Sequence, residues 1–148
     1  MSAYYRRPGW LTRNLLNRAM EFSTRLGISI RGSAVITVTG RKSGLPRSTP
    51  VNVLHLEGRR YVVAPRGETE WARNLRAAGR AQLRTGRRTE QISARELLGE
   101  EKVPVLRAYL SRWKVETGAF FGGISPDAPE QEWSEAAGRH PVFLIGPL

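Results

Sequence analysis

The chain has 148 residues, of which 40% are hydrophobic and none is Cys. This length predicts one domain, 1–148, with a core of its own. The absence of Cys excludes disulfides, thiolate metal sites and Cys nucleophiles. Apolar runs are too short to span a bilayer, and the first ten residues lack the apolar stretch of a secretory signal. We therefore expect a cytoplasmic protein.

The net charge of +11 is concentrated in the middle of the chain. Residues 31–88 carry twelve Arg and one Lys against three Glu, whereas residues 89–148 carry more acidic than basic groups. Such a surplus predicts an anionic partner, which could be nucleic acid, a membrane surface, or a phosphorylated or carboxylated small molecule. A solvated arginine-rich face explains the composition equally well.

An N-terminal helical segment, 1–30, comes first. Within it, residues 12–26 have the spacing of an amphipathic helix that begins at Thr12 and stops at Gly27. The polar face is basic, which would suit peripheral contact with an anionic membrane. An ordinary helix packed on its own domain shows the same pattern.

Strands are predicted next, because β-branched residues recur with a period of two. They cover residues 33–39, 49–56 and 60–65, with the loop GRKSGLPR (40–47) between the first two. Both faces of 49–56 are apolar, as in a central or barrel strand.

The rest of the chain alternates between helices and strands. Thr69 and Gly79 have the residue types that start and stop a helix. The predicted elements are helix 69–78, strands 80–85 and 88–95, helix 100–113, a short acidic helix within 126–138 and a closing strand at 140–146. The order predicts an α+β domain around a small antiparallel barrel of about six strands.

Common catalytic motifs are absent. The chain has no dinucleotide-binding or P-loop glycine pattern, no nucleophile elbow and no H-E-x-x-H. Two isolated His and a single Asp, Asp127, do not predict a metal site or a triad. We interpret His55 and His140 as structural or surface residues.

The loop 40–47 is the positive feature. It combines two Gly with Arg41, Lys42, Ser43 and Arg47, side chains that bind phosphate and carboxylate groups, and its amides could form an anion nest. The segment 64–67 and the start of the following helix could lie nearby. A solvated hairpin tip is the alternative.

Three separate stretches carry a family resemblance: TGRKSGLPRSTPV, YVVAPRG and WARNLRAAG. Over residues 33–98, and again in the closing HPVFLIGP, the chain resembles the deazaflavin-dependent nitroreductase family, actinobacterial flavin/deazaflavin oxidoreductases. The resemblance implies a split β-barrel like that of FMN-binding proteins. It also implies reduced coenzyme F420 as cofactor, with FMN less favoured. The tail of F420 carries a phosphate and several glutamates.

The resemblance also implies roles for individual residues. Arg41, Lys42, Ser43 and Arg47 would hold the tail, and Ser48, Thr49, Pro50 and Val51 would line the ring channel. Ala64, Pro65, Arg66 and Gly67 would pass near the phosphate and the deazaflavin edge, while Trp71 and Asn74 would close the groove. The family often has a small residue such as Ser at position 65, and Pro65 lacks its N–H and hydroxyl.

The C-terminal third departs from the family. Where well-studied members have several Tyr near the substrate, this chain has Tyr109, Trp113, Phe120, Phe121 and Trp133. A more apolar wall makes nitroimidazole a doubtful acceptor and favours a lipid-like one. The alternative is that these aromatics are core.

The leading hypothesis is a reductase that passes a hydride from the reduced deazaflavin to an electron-poor C=C or related acceptor. The proton would come from solvent, Ser48 or Tyr109. A non-catalytic flavin-, deazaflavin- or fatty-acyl-binding protein of the same fold is the alternative. Nucleic-acid binding ranks last, because few aromatics interleave the basic stretch. A homodimer and a monomer both stay open.

Overall fold

The computed structural model describes residues 33–121 and 123–148, so the helix predicted for 12–26 lies outside the described residues. Within these ranges, six strands close an antiparallel barrel in the order β1-β2-β3-β6-β5-β4. The strands are β1 (Ser33–Thr39), β2 (Pro46–Leu56), β3 (Arg59–Val63), β4 (Arg80–Thr85), β5 (Arg88–Glu96) and β6 (Val142–Pro147). The flanking helices are α1 (Glu70–Ala78), α2 (Lys102–Thr117) and α3 (Glu130–Ala137). This architecture confirms the predicted α+β split barrel.

The barrel interior follows from strand alternation, since successive side chains point to opposite faces. Ile36 and Val62 have no exposed surface and belong to one interior cluster with Val51 and Val53. The same cluster includes Leu75 of α1, so this helix packs against the interior of the barrel. Glu70 and Asn74 of α1 thereby come close to the β1–β2 connection.

A second core lies outside the barrel, where α2 and α3 cover β2, β3 and β6. It contains four of the five aromatic residues predicted for the substrate: Tyr109, Trp113, Phe121 and Trp133. Phe120, by contrast, is 40% exposed. Burial alone therefore gives most of this aromatic set a packing role.

Several predicted boundaries are wrong by a few residues. β2 begins at Pro46 instead of residue 49, because its first three residues pair with Thr37–Thr39 of β1. β3 ends at Val63, before Pro65. α2 continues to Thr117, past a kink at Trp113 where φ is −123° and ψ is 37°.

Candidate anion-binding site

An open pocket of about 170 Å³ lies where the β1–β2 connection meets α1. Its lining residues are Gly40, Arg41, Lys42, Ser43, Arg47, Glu70 and Asn74. The structure thus brings together five residues predicted to bind a ligand and adds a carboxylate that sequence reasoning missed. The signal for it was the spacing of Glu70 and Asn74, which are four residues apart and so share one face of α1.

The turn that forms the pocket is closed by its own hydrogen bonds. The Gly40 amide donates to the Leu45 carbonyl at 2.8 Å, and the Gly44 amide donates to the Gly40 carbonyl at 2.9 Å. The Leu45 amide donates to Ser43 Oγ at 3.1 Å. The turn therefore uses three of its own amides, and no bond to a described residue involves the Lys42 and Ser43 amides, which stay candidates for the predicted nest.

Arg41 ties this turn to α1. Its backbone N–H donates to Asn74 Oδ1 at 3.0 Å, and its Nη1 donates to the same oxygen at 2.7 Å. Nη1 also donates to Glu70 Oε1 at 3.0 Å. Asn74 is 3% exposed and Arg41 is partly buried, so losing this acceptor would leave two partly buried donors without it. Arg41 is thus first a docking residue, and only part of its guanidinium is left for a ligand.

The pocket carries a net positive charge. The hydrogen bond from Arg41 holds the pKa of Glu70 below its ordinary value, so this carboxylate is ionised at neutral pH. Lys42 and Arg47 are exposed, and neither forms an ion pair with any residue in 33–121 or 123–148. Two exposed cations beside one open pocket make it a candidate anion site.

Segment 64–67 does not line this pocket. The Ala64 amide donates to the Pro141 carbonyl at 2.9 Å, and the Gly67 amide donates back to the Ala64 carbonyl at 3.0 Å. The Arg66 guanidinium lies 5.0 Å from the centre of the Phe120 ring. Pro65 has no N–H to donate to a ligand. The guanidinium of Arg66 is the charged group of this segment.

Trp71 also lies away from the pocket lining. Its ring centroid is 6.4 Å from that of Phe143, and it packs against the barrel-interior cluster. The two residues predicted on this helix therefore separate: Asn74 belongs to the pocket and Trp71 to the packing of α1 on the barrel.

The outer face of β2 leads away from the pocket. Ser48, Pro50 and Asn52 alternate with inward-facing residues, Ser48 being exposed and the other two half-buried; we call these three the outer row. Ser48 Oγ lies 2.7 Å from Thr37 Oγ1. At the far end, Asn52 Nδ2 donates to the hydroxyl of the buried Tyr109 at 3.4 Å. The outer row thus begins one residue after Arg47, which lines the pocket from the other face of β2, and ends at the edge of the aromatic cluster.

The other two predicted ring-channel residues, Thr49 and Val51, do not belong to the outer row. Val51 is buried in the barrel interior, so only its backbone faces the outer row. Thr49 is half-buried and pairs with Ile36 of β1.

His140 is buried, which agrees with its structural interpretation, whereas His55 is exposed. The His140 ring centroid is 4.4 Å from that of Phe121, and its Nδ1 has no partner among the described residues. Burial lowers the pKa of His140, partly offset by hydrogen bonds to the Ala64 and Pro65 backbone. The imidazole is therefore neutral at pH 7.

Thr69 does not cap α1 as its sequence position predicted. It occupies the N-cap position, but its side chain makes no capping bond. Its hydroxyl is buried without a partner in the described part of the chain. α1 therefore begins at Glu70, whose carboxylate lies in the pocket.

Residues 33–121 and 123–148 lack two further features. No group of three His, Asp or Glu side chains in these ranges is placed to hold a metal ion. None of the helices described has the length and apolar character needed to cross a bilayer.

A closed six-stranded antiparallel barrel, with flanking helices and a pocket lined by basic residues at the β1–β2 connection, defines a split-barrel protein. Residues 10–116 match the model of the F420H(2)-dependent quinone reductase family, and the chain belongs to this family. It is an oxidoreductase whose cofactor is coenzyme F420.

Solved structures share the fold at low sequence identity. An F420-H2 dependent reductase (FDR-A) is 23% identical over 78% of this chain and 95% of its own, with a TM-score of 0.56. A structure described as a domain-swapped dimer is 24% identical over 95% of this chain and 100% of its own, with a TM-score of 0.54. A putative pyridoxamine 5'-phosphate oxidase from Listeria innocua is 15% identical over 84% of this chain and 91% of its own, with a TM-score of 0.52.

Proposed function

We propose that the protein holds the anionic tail of F420 in the pocket at 40–47 and reduces an electron-poor C=C or related acceptor, apolar or lipid-like. The observation that supports this is the course of β2. Its second residue, Arg47, lines the anion pocket, and its outer row ends at Tyr109. One strand therefore connects the proposed site for the tail with the proposed site for the ring and acceptor.

The pocket residues fit a phosphorylated and carboxylated tail. Lys42 and Arg47 form no ion pair within the described part of the chain, and Arg47 adds a planar fork suited to a carboxylate or a phosphate. The turn bonds use mainly the acceptor side of the Ser43 hydroxyl, so its proton is available to an anion. Solvent access along this open pocket suits a tail of variable length.

The outer row would position the ring and the acceptor. The reduced coenzyme, when bound, supplies the hydride for the reduction. Ser48, held by Thr37, and Tyr109, held by Asn52, are the hydroxyl groups at this face that could deliver the accompanying proton. The apolar side chains of the cluster around Tyr109 would exclude water from the acceptor.

Binding of oxidised F420 tests the pocket assignment. Fluorescence titration should give micromolar affinity that weakens as salt is added, because the tail contacts are charged. Lys42→Ala and Arg47→Ala should each weaken binding and reduce this salt dependence. Unchanged affinity in both variants would contradict the assignment of the tail to this pocket.

A non-catalytic binding protein is the second candidate, and the segment at 64–67 favours it. Pro65 has no N–H, and the Ala64 and Gly67 amides already donate within the protein. The segment therefore has few groups left with which to orient a ring. The measurement is oxidation of F420H2 in the presence of enone acceptors: turnover supports the reductase, and tight binding without turnover supports the alternative.

Assembly and location complete the proposal. We place the whole chain in one domain of a cytoplasmic protein, with a homodimer favoured because one structural relative is described as a dimer. Light scattering in solution measures the mass of the assembly. Co-sedimentation with anionic vesicles tests peripheral membrane contact by residues 1–30.

A further inference from the structure

The anion pocket contains a carboxylate of its own. Glu70 Oε1 lies 3.0 Å from Arg41 Nη1, and the side chains are 36% and 21% exposed. Arg73 approaches the other Glu70 oxygen at 4.0 Å. An ionised carboxylate in the wall of an anion site repels the ligand that the site is built to bind.

Positioning of Arg41 does not require the charge of Glu70. Asn74 Oδ1 already accepts bonds from both the backbone and the guanidinium of Arg41. Asn74 is nearly fully buried, whereas Glu70 lies at the open side of the pocket. The amide therefore provides the anchor, and the carboxylate adds a counter-charge.

That counter-charge acts on more than one cation of the pocket. The charges of Arg41, Arg73 and Lys42 all favour the ionised form of Glu70. By the same coupling, the carboxylate lowers the positive potential that these cations present to a ligand. It also occupies an N–H of Arg41 that an incoming oxyanion could otherwise use.

We infer that Glu70 limits the affinity of the pocket for the anionic tail of the coenzyme, so that the bound coenzyme can leave. This inference rests on the proposed function, because it takes the tail as the occupant. The neutral side chain of Gln has nearly the same shape and keeps an acceptor for Arg41. Glu70→Gln should therefore bind more tightly than the native protein.

The test compares Glu70→Gln with Glu90→Gln. Glu90 forms a two-bond ion pair with Arg60, at 2.8 and 3.2 Å, and does not line the pocket, so this control changes the net charge equally. We expect Glu70→Gln to bind oxidised F420 about three to ten times more tightly, through slower dissociation in stopped-flow fluorescence. Glu90→Gln should match the native protein, and the difference should shrink at high salt.

Tripolyphosphate serves as a second probe, because it reports on the pocket without the ring. Competition with F420 should give the same ranking of the variants. Weaker or unchanged coenzyme binding in Glu70→Gln, with an unaltered melting temperature, would overturn the inference. If the Gln variant is poorly folded, Glu70→Ala replaces it, and the same two outcomes decide.

The pocket variants separate this failure from that of the proposed function. If Lys42→Ala and Arg47→Ala lower affinity but Glu70→Gln does not raise it, the role of Glu70 alone is overturned. If the two cation variants also leave affinity unchanged, the tail does not occupy the pocket and the proposed function is overturned with it.

Discussion

Gly40 has no room for a side chain. A Cβ at this position would lie 2.6 Å from Ser43 Oγ and 3.3 Å from the Leu45 carbonyl oxygen. Gly40→Ala should therefore lower the free energy of unfolding by about 1–3 kcal/mol, because the turn must open or lose its Ser43 bond. Thermal or urea unfolding measures the loss, and F420 affinity should fall with it.

A double variant and a second glycine control this prediction. Ser43→Ala removes the nearest clashing atom, so it should recover part of the stability lost in Gly40→Ala. At Gly138, where φ is −64° and the nearest contact of a Cβ is 3.9 Å, Ala should be neutral or slightly stabilising. Equal losses at both glycines would show that the crowding at Gly40 is not the cause.

His140 makes stability depend on pH. Its pKa lies below the ordinary value of 6.5 because the ring is buried, so the unfolded chain binds more protons just below pH 6.5. The free energy of unfolding should be highest above pH 6.5. It should fall by at most about 1.4 kcal/mol per pH unit as pH drops towards the folded pKa, and level off below it.

Urea unfolding at intervals between pH 5 and 8 measures this slope. The Arg-paired carboxylates with lowered pKa, such as Glu68, lose their stabilising effect only as the pH falls below their ordinary pKa of 4.5. They therefore do not affect the slope between pH 5 and 8. His140→Gln should flatten the profile, whereas His55→Gln, at an exposed position, should preserve it. A slope that persists in His140→Gln would contradict the assignment.

The side-chain amide of Asn74 joins the β1–β2 turn to α1. Asn74→Ala removes the acceptor for both donors of Arg41 and should cost about 1–3 kcal/mol of stability, with weaker F420 binding because the turn is no longer held. Asn74→Asp keeps the acceptor but adds a negative charge to the pocket.

The two Asn74 variants should therefore separate stability from binding. Unfolding and F420 titration of each variant provide the measurement. We expect the Asp variant to keep most of the native stability, because the acceptor for Arg41 remains. It should still bind the coenzyme weakly, because its added negative charge repels the anionic tail. Full affinity in the Asp variant would show that charge in this pocket has little influence on the tail.

The strands were the most predictable elements, and their limits the least. β-branched alternation located β1 and the central part of β2. The start of β2 at Pro46 was missed because a loop composition with Gly and Pro hides the pairing to Thr39, which only the neighbouring strand reveals. The predicted helix ended at Trp113, where the structure has a kink and the helix then continues to Thr117, up to the glycine that follows.

The sequence predicted part of the candidate site, because residue chemistry is visible in the chain but tertiary contacts are not. The residue types of loop 40–47 indicate an anion site by their chemistry. The docking role of Arg41 and the presence of Glu70 depend on α1 folding back against the turn, a tertiary contact. Burial likewise decides the aromatics: Trp133, with no exposed surface, donates its Nε1–H to the Ser125 carbonyl and behaves as core.

Some arginines form ion pairs within the protein, and others line the pocket. Arg60 pairs with Glu90, and Arg76 pairs with both Glu68 and Glu96. The pairs with Glu90 and Glu96 link β3 and α1 to β5. The basic surplus of residues 31–88 is therefore partly a feature of packing, with the pocket as one place where positive charge is left over.

Competition with duplex DNA separates the pocket from the overall charge. Non-specific DNA binding depends on the whole basic surface, so Lys42→Ala and Arg47→Ala should each reduce it only slightly. The same variants should lower F420 affinity clearly. A parallel loss of both activities would indicate that the pocket binds phosphates without regard to the molecule that carries them.

Pairing with β1 and β3 fixes the position of β2 in the barrel wall. Each residue advances about 3.3 Å, so Ser48 and Asn52, which share the outer face, are about 13 Å apart along the barrel wall. Antiparallel partners on both sides prevent the strand from sliding, since β1 holds its first half and β3 its second. Under the proposed binding mode, this fixed strand sets the distance between the charged end and the reactive end of the coenzyme. A change of acceptor would then need only other side chains near the outer row, whereas a change in the span of the cofactor would need a different barrel.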